Sequence, residues 1–398
     1  MPSGGAPETL STRALNRATL ARQGLLEPMK AAPATSVRRL GSLQAQHPEW
    51  PPIALAGRAA NARAADLATA LERRTVVRSS LMRITIHVVS SDDLWPMFTV
   101  VQPMRLDQWR LIVKADPITS PLGKRMAASH AAAVDALRER PRSSLELDRI
   151  MAAEIAADAT GVRRPGGRRP ESQLIIRAAW RHFAATVPLV HVPHAAEGYG
   201  RSLYALAADW LGTAMPPLDL EHARVHVARR YLAAFGPASV EDLAAYVGRG
   251  RGGMGAWRAA VAALGDELIE FRDEGGRTIF DLAESPRPEE DVPAPPRVLA
   301  RWDSILLSHE TKHRDRVMDD AARAAVFTKN ADVRPSFLVD GRVAGTWDLA
   351  RRDGAAAITL TPLGKLGRAD RVALVDEAER VLAIISPDAD RRNVRIGP

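Results

Sequence analysis

The 398-residue sequence contains no cysteine. Disulfide bonds, thiolate zinc sites and cysteine nucleophiles are therefore excluded, and this composition fits a reducing compartment. No apolar run approaches the roughly 18 uncharged residues that a membrane helix needs. The opening segment, MPSGGAPETLSTRA, also lacks the apolar stretch of a secretory signal. We therefore expect a cytoplasmic protein.

Lysine is scarce as well, contributing only six of the 55 basic residues. The net charge of +8 and the isoelectric point near 10.2 suit a polyanionic partner such as nucleic acid. The excess of alanine and arginine is equally typical of a GC-rich coding bias. Charge alone therefore does not decide between a DNA-binding protein and an ordinary globular one.

The length of the chain predicts two to four subdomains. Patterns of three helices followed by a strand-turn-strand segment recur three times with poor sequence similarity, and this order is typical of a winged helix-turn-helix. The expected fold is α+β and mainly helical, with three tandem winged helices and a separate C-terminal α+β unit. The predicted divisions are a disordered N-terminus (1–11), three winged helices (12–115, 116–215 and 216–284), a proline-rich acidic linker (285–296) and the C-terminal domain (297–398).

Two glutamines, Gln44 and Gln46, lie in the segment RRLGSLQAQHPEWPP. A preceding helix is predicted to end near Leu43, because Pro48 biases His47 away from helical geometry. Residues two apart share one side of an extended backbone, so both amides can emerge together from this helix-to-loop junction. The alternative is that the pair makes only local hydrogen bonds.

Two segments concentrate positive charge. The loop with Arg163, Arg164, Arg168 and Arg169 leads into a helix, and both features suit phosphate binding. The segment from Arg297 to Met318 carries His309, Lys312, His313, Arg314 and Arg316. Each segment is predicted to face DNA, although a solvated surface loop is the simpler alternative.

The histidine pairs have the spacing of one helical turn, at His222 with His226 and at His309 with His313. No HExxH motif and no third ligand accompanies either pair, so we predict no metal site. The glycine-rich segment 248–257 follows a helix rather than a strand, which argues against a dinucleotide site.

Several segments together resemble the bacterial winged-helix DNA glycosylases that unhook interstrand crosslinks, and among these the azinomycin-resistance group of antibiotic-producing actinobacteria. The segments are LNRATLARQGLL, LGSLQAQ, LMRITIHVVSSDDL, RWDSILLSHETKHRDRV and FLVDGRVAGTWDL. The similarity extends from about Thr12 to Ile396. The catalytic Gln-x-Gln motif of that family falls on Gln44 and Gln46, and a related branch carries Gln-x-Asp. Ala45 departs slightly from the family, since it is a small apolar residue between the glutamines.

The resemblance implies a monofunctional DNA glycosylase for bulky N7-alkylpurines, with crosslinks among the candidate substrates. It also implies a C-shaped fold around duplex DNA, a role in repair and antibiotic self-resistance, and activity as a monomer without metal or cofactor. Gln44 and Gln46 would orient water and stabilise the sugar cation. The predicted DNA contacts are Arg83 and His87 on the first wing, the arginine loop, and His309, Lys312, Arg314 and Arg316.

Two rival functions stay open at this point. A regulator or a drug-sequestering resistance protein would use three winged helices equally well, since fold alone does not determine function. A relative that has lost activity and binds another small molecule is the third possibility.

Overall fold

The computed structural model describes residues 7–60, 63–113, 121–156, 171–193, 202–217, 219–248, 253–329 and 332–397. The helices are α1 (Thr12–Arg22), α2 (Pro33–Leu40), α3 (Trp50–Ala56), α4 (Ala64–Glu72), α5 (Leu94–Val113), α6 (Pro121–Glu139), α7 (Ser144–Ala156), α8 (Glu171–Thr186), α9 (Ala207–Leu211), α10 (Leu220–Phe235), α11 (Val240–Val247), α12 (Gly253–Ala262), α13 (Ser304–Leu307), α14 (Asp320–Val326) and α15 (Arg368–Ile385). Within these ranges no helix has the length and apolar character needed to cross a membrane.

The strands are short and lie mostly between or after helices. They are β1 (Thr9–Leu10), β2 (Leu43–Gln44), β3 (Val76–Ser80), β4 (Ile86–Ser90), β5 (Arg142–Ser143), β6 (Leu189–Val192), β7 (Leu203–Leu206), β8 (Leu268–Asp273), β9 (Thr278–Leu282), β10 (Arg297–Leu299), β11 (Ser336–Val339), β12 (Arg342–Arg352), β13 (Ala355–Pro362) and β14 (Arg391–Ile396). The mixture confirms the α+β class.

Three stretches of chain share one order of elements, with three helices before a pair of antiparallel strands. The first unit runs from α2 to β4, the second from α6 to β7 and the third from α10 to β9. A short strand also follows the first helix of the first and second units. Helix α5 connects the first unit to the second.

The first and second units are joined through one six-stranded sheet of order β2-β4-β3-β6-β7-β5. The junction is the pair Arg78–His191, on β3 and β6. The third unit forms a sheet of order β1-β8-β9, in which β1 runs parallel to β8. The expected disorder of residues 1–11 is therefore wrong for Thr9 and Leu10, because β8 satisfies their backbone groups.

Capping side chains place several helix ends. Ser11 caps α1 by accepting a hydrogen bond from the backbone N–H of Ala14 at 3.0 Å, as its sequence position suggests. Asp66 is of a residue type that often precedes a helix, but it is the third residue of α4. Arg63 is the capping residue, and Asp66 accepts from its backbone N–H at 3.1 Å. A carboxylate in the first turn also stabilises the positive end of the helix.

The C-terminal region is not a separate unit, contrary to the sequence expectation. Its sheet, of order β10-β11-β12-β13-β14, is covered by α15. Phe337, Trp347 and Leu382 belong to the same buried cluster as Val37 and Ile53 of the first unit. The two regions therefore share one core, since apolar faces of both contribute to a single buried cluster.

Buried ion pairs link the units further. Arg22 of α1 contacts Asp281 of β9 at 2.7 Å, and Arg58 contacts Asp303 beside α13 at 2.6 Å. All four side chains are 1% exposed or less. Since an unpaired buried charge is strongly unfavourable, each pair specifies the docking of its two elements.

Candidate active site

The segment after α2 places the two glutamines. Gly41 ends α2 with a φ of +78°, a conformation that favours glycine. The chain then extends, and Leu43 and Gln44 pair with Val88 and His87 of β4. Gln44 thus leaves from a strand, whereas the sequence predicted a helix-to-loop junction near Leu43.

The two amides differ in how firmly they are held. Gln44 is only 9% exposed, and its Oε1 accepts a hydrogen bond from Nη2 of Arg83 at 3.2 Å. Gln46 is exposed, and its Oε1 accepts only a long hydrogen bond of 3.4 Å from the backbone N–H of Ile86. One amide is therefore fixed from inside the protein, and the other faces solvent.

Arg83 is held in place by the third unit. Its Nη1 donates to the carbonyl of Tyr246 at 2.6 Å, and its guanidinium lies 5.5 Å from the centre of the Tyr246 ring. Its φ is +54°, and a Cβ on Gly248 would approach its Cα to 3.0 Å. Its two terminal nitrogens are directed inward toward Tyr246 and Gln44. Arg83 is half-buried, and its contact with DNA stays a prediction.

His87 lies beside Gln44 on the partner strand and is fully buried. Its Nδ1 lies 3.0 Å from the carbonyl of Thr85, which can only accept, so Nδ1 carries the proton. Its Nε2 is then free to accept from Nη2 of Arg83 at 3.4 Å. Burial and the charge of Arg83 lower the pKa of His87 to about 3. His87 is therefore neutral at pH 7, and its predicted DNA contact is wrong because no part of it reaches the surface.

The backbone around the glutamines is held by three other parts of the chain. The carbonyl of Ala45, between the glutamines, accepts from Nε of Arg78 at 3.1 Å. The carbonyl of Ser42 accepts from Oγ of Ser304 at 3.0 Å, and Oγ of Ser42 lies 2.9 Å from the hydroxyl of Tyr246. The first unit, the third unit and the C-terminal region thus all position this segment.

An exposed aromatic surface follows Gln46. The ring of His47 stacks on Trp302 with centroids 5.5 Å apart and planes only 3° from parallel. The guanidinium of Arg301 lies 5.3 Å from the Trp302 ring and 5.9 Å from Trp50. More than 250 positions separate His47 and Trp50 from Arg301 and Trp302, so nothing in the sequence pattern pairs the two groups.

Three of the eight residues 309–316 are buried, and they are His309, His313 and Arg316. His309 and Arg316 are each 1% exposed and donate to the carbonyls of Phe235 and Pro237 at 3.1 and 2.9 Å. His313 contacts Asp242 at 2.7 Å. The expected DNA contacts of His309 and Arg316 are corrected, because buried side chains hydrogen-bonded to the core cannot reach a phosphate.

Lys312 is exposed and Arg314 half-buried, so these two remain predicted contacts. The arginine loop with Arg163, Arg164, Arg168 and Arg169 lies outside the described residues. His222 contacts Asp219 and His226 contacts Asp93, each at 2.7 Å. In the part of the chain that the structure describes, no three metal-ligating side chains cluster.

The fold and the glutamine segment define a class of protein. A model of the family described as "DNA glycosylase AlkZ-like" matches residues 37–384, and the chain belongs to this family.

A relative from Streptomyces sahachiroi, an interstrand DNA cross-link repair glycosylase, is 31% identical over 178 residues. That match covers 44% of this chain and 45% of the relative, less than half of either. The solved structure of the Streptomyces sahachiroi DNA glycosylase AlkZ has a TM-score of 0.76 at 21% identity, covering 98% of this chain and all of that one. At this identity the structural likeness establishes the fold.

Proposed function

We propose that this protein is a monofunctional DNA glycosylase that hydrolyses the N-glycosidic bond of bulky N7-alkylpurines in duplex DNA, interstrand crosslinks included. The observation that carries the proposal is the arrangement of Gln44 and Gln46, one amide fixed by Arg83 and the other open to solvent. Family membership supports the reaction class.

The chemistry does not require a carboxylate. Alkylation at N7 gives the base a positive charge, so it departs as a neutral group and needs no general acid. The remaining tasks are to place a water and to stabilise the oxocarbenium-like sugar. Amide carbonyl oxygens perform both, since each accepts two hydrogen bonds and presents a fixed dipole.

Arg83 is a positioning residue in this mechanism. It occupies one lone pair of Gln44 Oε1, and the other can accept a hydrogen bond from the attacking water, whose proton passes to solvent as the C–O bond forms. During bond cleavage the positive charge moves from the base to the sugar, while the total charge stays the same. The oriented amide carbonyls stabilise the charge that develops on the sugar, and this favours the transition state over the ground state.

The proposed substrate requires an extended DNA surface. We infer that the first, second and third units are winged helices that surround duplex DNA, with Gln46 and the stacked His47 ring on the DNA side. We also infer that the protein acts as a monomer. The repeated order of helices and strands supports this inference. Lys312, Arg314 and the arginine loop are the proposed phosphate contacts.

Incubation with two duplexes tests the function, one carrying N7-methylguanine and one an N7-linked interstrand crosslink. The expected result is free alkylated base and an alkali-labile site in the first duplex, and separated strands in the second. Tight binding of both duplexes without base release would favour the regulator or sequestering protein. Release from the first duplex alone would restrict the proposal to monoadducts.

A further inference from the structure

A cavity lies where the six-stranded sheet joins the first and second units. It encloses about 330 Å³ between β3, β4, β6 and β7 on one side and α5 and α8 on the other. This volume falls at the lower end of the range of small-molecule sites, about 300–1,000 Å³. We call it the interunit pocket.

The walls of the interunit pocket are aromatic and apolar. Trp109, Trp180 and Tyr204 line it together with Ile84 and Ile86. The Trp180 and Tyr204 rings meet edge to face with centroids 5.4 Å apart. Trp109 is 2% exposed. Walls of this kind suit a flat ring, because the ring can stack on one aromatic face and meet the edge of another.

Two buried polar atoms in the wall have no partner among the described atoms. They are Nδ1 of His191 and Nε of Arg105, whose residues are 5% and 6% exposed. Burial lowers the pKa of His191 to about 3, so its ring is neutral and offers one nitrogen as donor or acceptor. The Nε–H of Arg105 can only donate. An unsatisfied buried group of this kind is costly, and a ligand carrying a hydrogen-bond acceptor would satisfy it.

The interunit pocket adjoins the glutamines through one residue. The side chain of Ile86 lines the pocket, and its backbone N–H contacts Oε1 of Gln46. Ile84, also in the wall, directly follows Arg83, which holds Gln44. The pocket wall and the surroundings of the two glutamines therefore share the segment from Arg83 to Ile86.

We propose that the interunit pocket binds the flat aromatic arm of a bulky N7 adduct, with an acceptor on that arm meeting Arg105 or His191. This inference rests on the proposed function. It makes the pocket a specificity determinant, because a small adduct such as methyl leaves it unused.

Three duplexes test the pocket, carrying N7-methylguanine, N7-benzylguanine or N7-phenacylguanine. The phenacyl arm has a ring and a carbonyl acceptor, the benzyl arm a ring alone. For Trp180→Ala, single-turnover release of the phenacyl base should fall about tenfold, as expected for one lost stacking contact. Release of the methyl base should stay unchanged. Trp210→Ala, which removes an equally half-buried indole outside the pocket, is the matched control.

His191→Phe keeps a ring in the wall but removes the nitrogen. It should lower phenacyl release and leave benzyl release unchanged. If Trp180→Ala retains the wild-type ratio of phenacyl to methyl release, the pocket proposal is wrong while the glycosylase proposal stands. If the wild type releases no base at all, the proposed function fails. In that case the affinities for the phenacyl and methyl duplexes test the pocket by themselves. The ratio of the two affinities should be smaller in Trp180→Ala than in the wild type, and an equal ratio would contradict the pocket proposal.

Discussion

Truncating the two glutamines should affect rate and stability differently, because the structure holds them differently. Gln46 is exposed and its single described hydrogen bond is 3.4 Å long, so Gln46→Ala should change the free energy of unfolding by less than about 0.5 kcal/mol. Gln44 is 9% exposed, and its loss leaves Nη2 of Arg83 with only the long contact to His87. Removing a partner from a buried charged donor costs about 1–3 kcal/mol.

Both substitutions should slow base release. Removing one oriented dipole from comparable sites costs on the order of a hundredfold, about 3 kcal/mol, so a loss of tenfold or more is expected for each variant. If the two amides hold the same water, the double variant should be less than additive. Gln46→Asp, the residue of the related branch, should keep substantial activity on simple cationic lesions.

The assay is single-turnover release of N7-methylguanine, with duplex affinity and melting temperature measured on the same samples. Single-turnover rates isolate the chemical step from product release. Glu379→Ala, an exposed truncation on α15, controls for nonspecific loss of activity. A Gln46→Ala variant that releases base at the wild-type rate would refute the catalytic role. A variant that loses rate, affinity and thermal stability together would show that Gln46 is structural.

Replacing Arg163, Arg164, Arg168 and Arg169 by alanine should weaken binding to any duplex and flatten its salt dependence by about one unit of slope per lost phosphate contact; an unchanged slope places the loop away from DNA. Stability should fall as the pH drops below about 6.5, because His87, His191 and His309 have pKa values near 3 in the folded protein against an ordinary 6.5. Unfolding then takes up protons, and each proton lowers the free energy of unfolding by about 1.4 kcal/mol per pH unit. Equal urea midpoints at pH 7 and pH 5 would contradict this prediction. Gly248→Ala should slow base release, since φ is +104° and the new Cβ would lie 3.0 Å from Cα of Arg83; a wild-type rate in a folded variant would show that Arg83 needs no such support.

The order of elements could be predicted because it depends on local patterns. Apolar periodicity and turn residues predict three repeats of helices followed by paired strands. In the third repeat, Gly276 lies in the turn between the two strands with a φ of +76°. The ends of helices are harder to predict, as at Asp66 in α4, because several nearby residues can cap the same helix. The glutamine pair was found only through its resemblance to a known motif, since amides carry no charge pattern.

Local sequence patterns predict the α+β class and the repeated units, because both depend on neighbouring residues. The exposure of each basic residue could be read only from the tertiary structure. The neighbouring sequence looks the same whether a charged side chain lies at the surface or in a buried network. The buried His87, His309 and Arg316 are held by Thr85, Phe235 and Pro237. The half-buried Arg83 is held by Tyr246. These contacts join residues up to 163 positions apart. Such pairings follow from how the units pack, and packing depends on the whole chain.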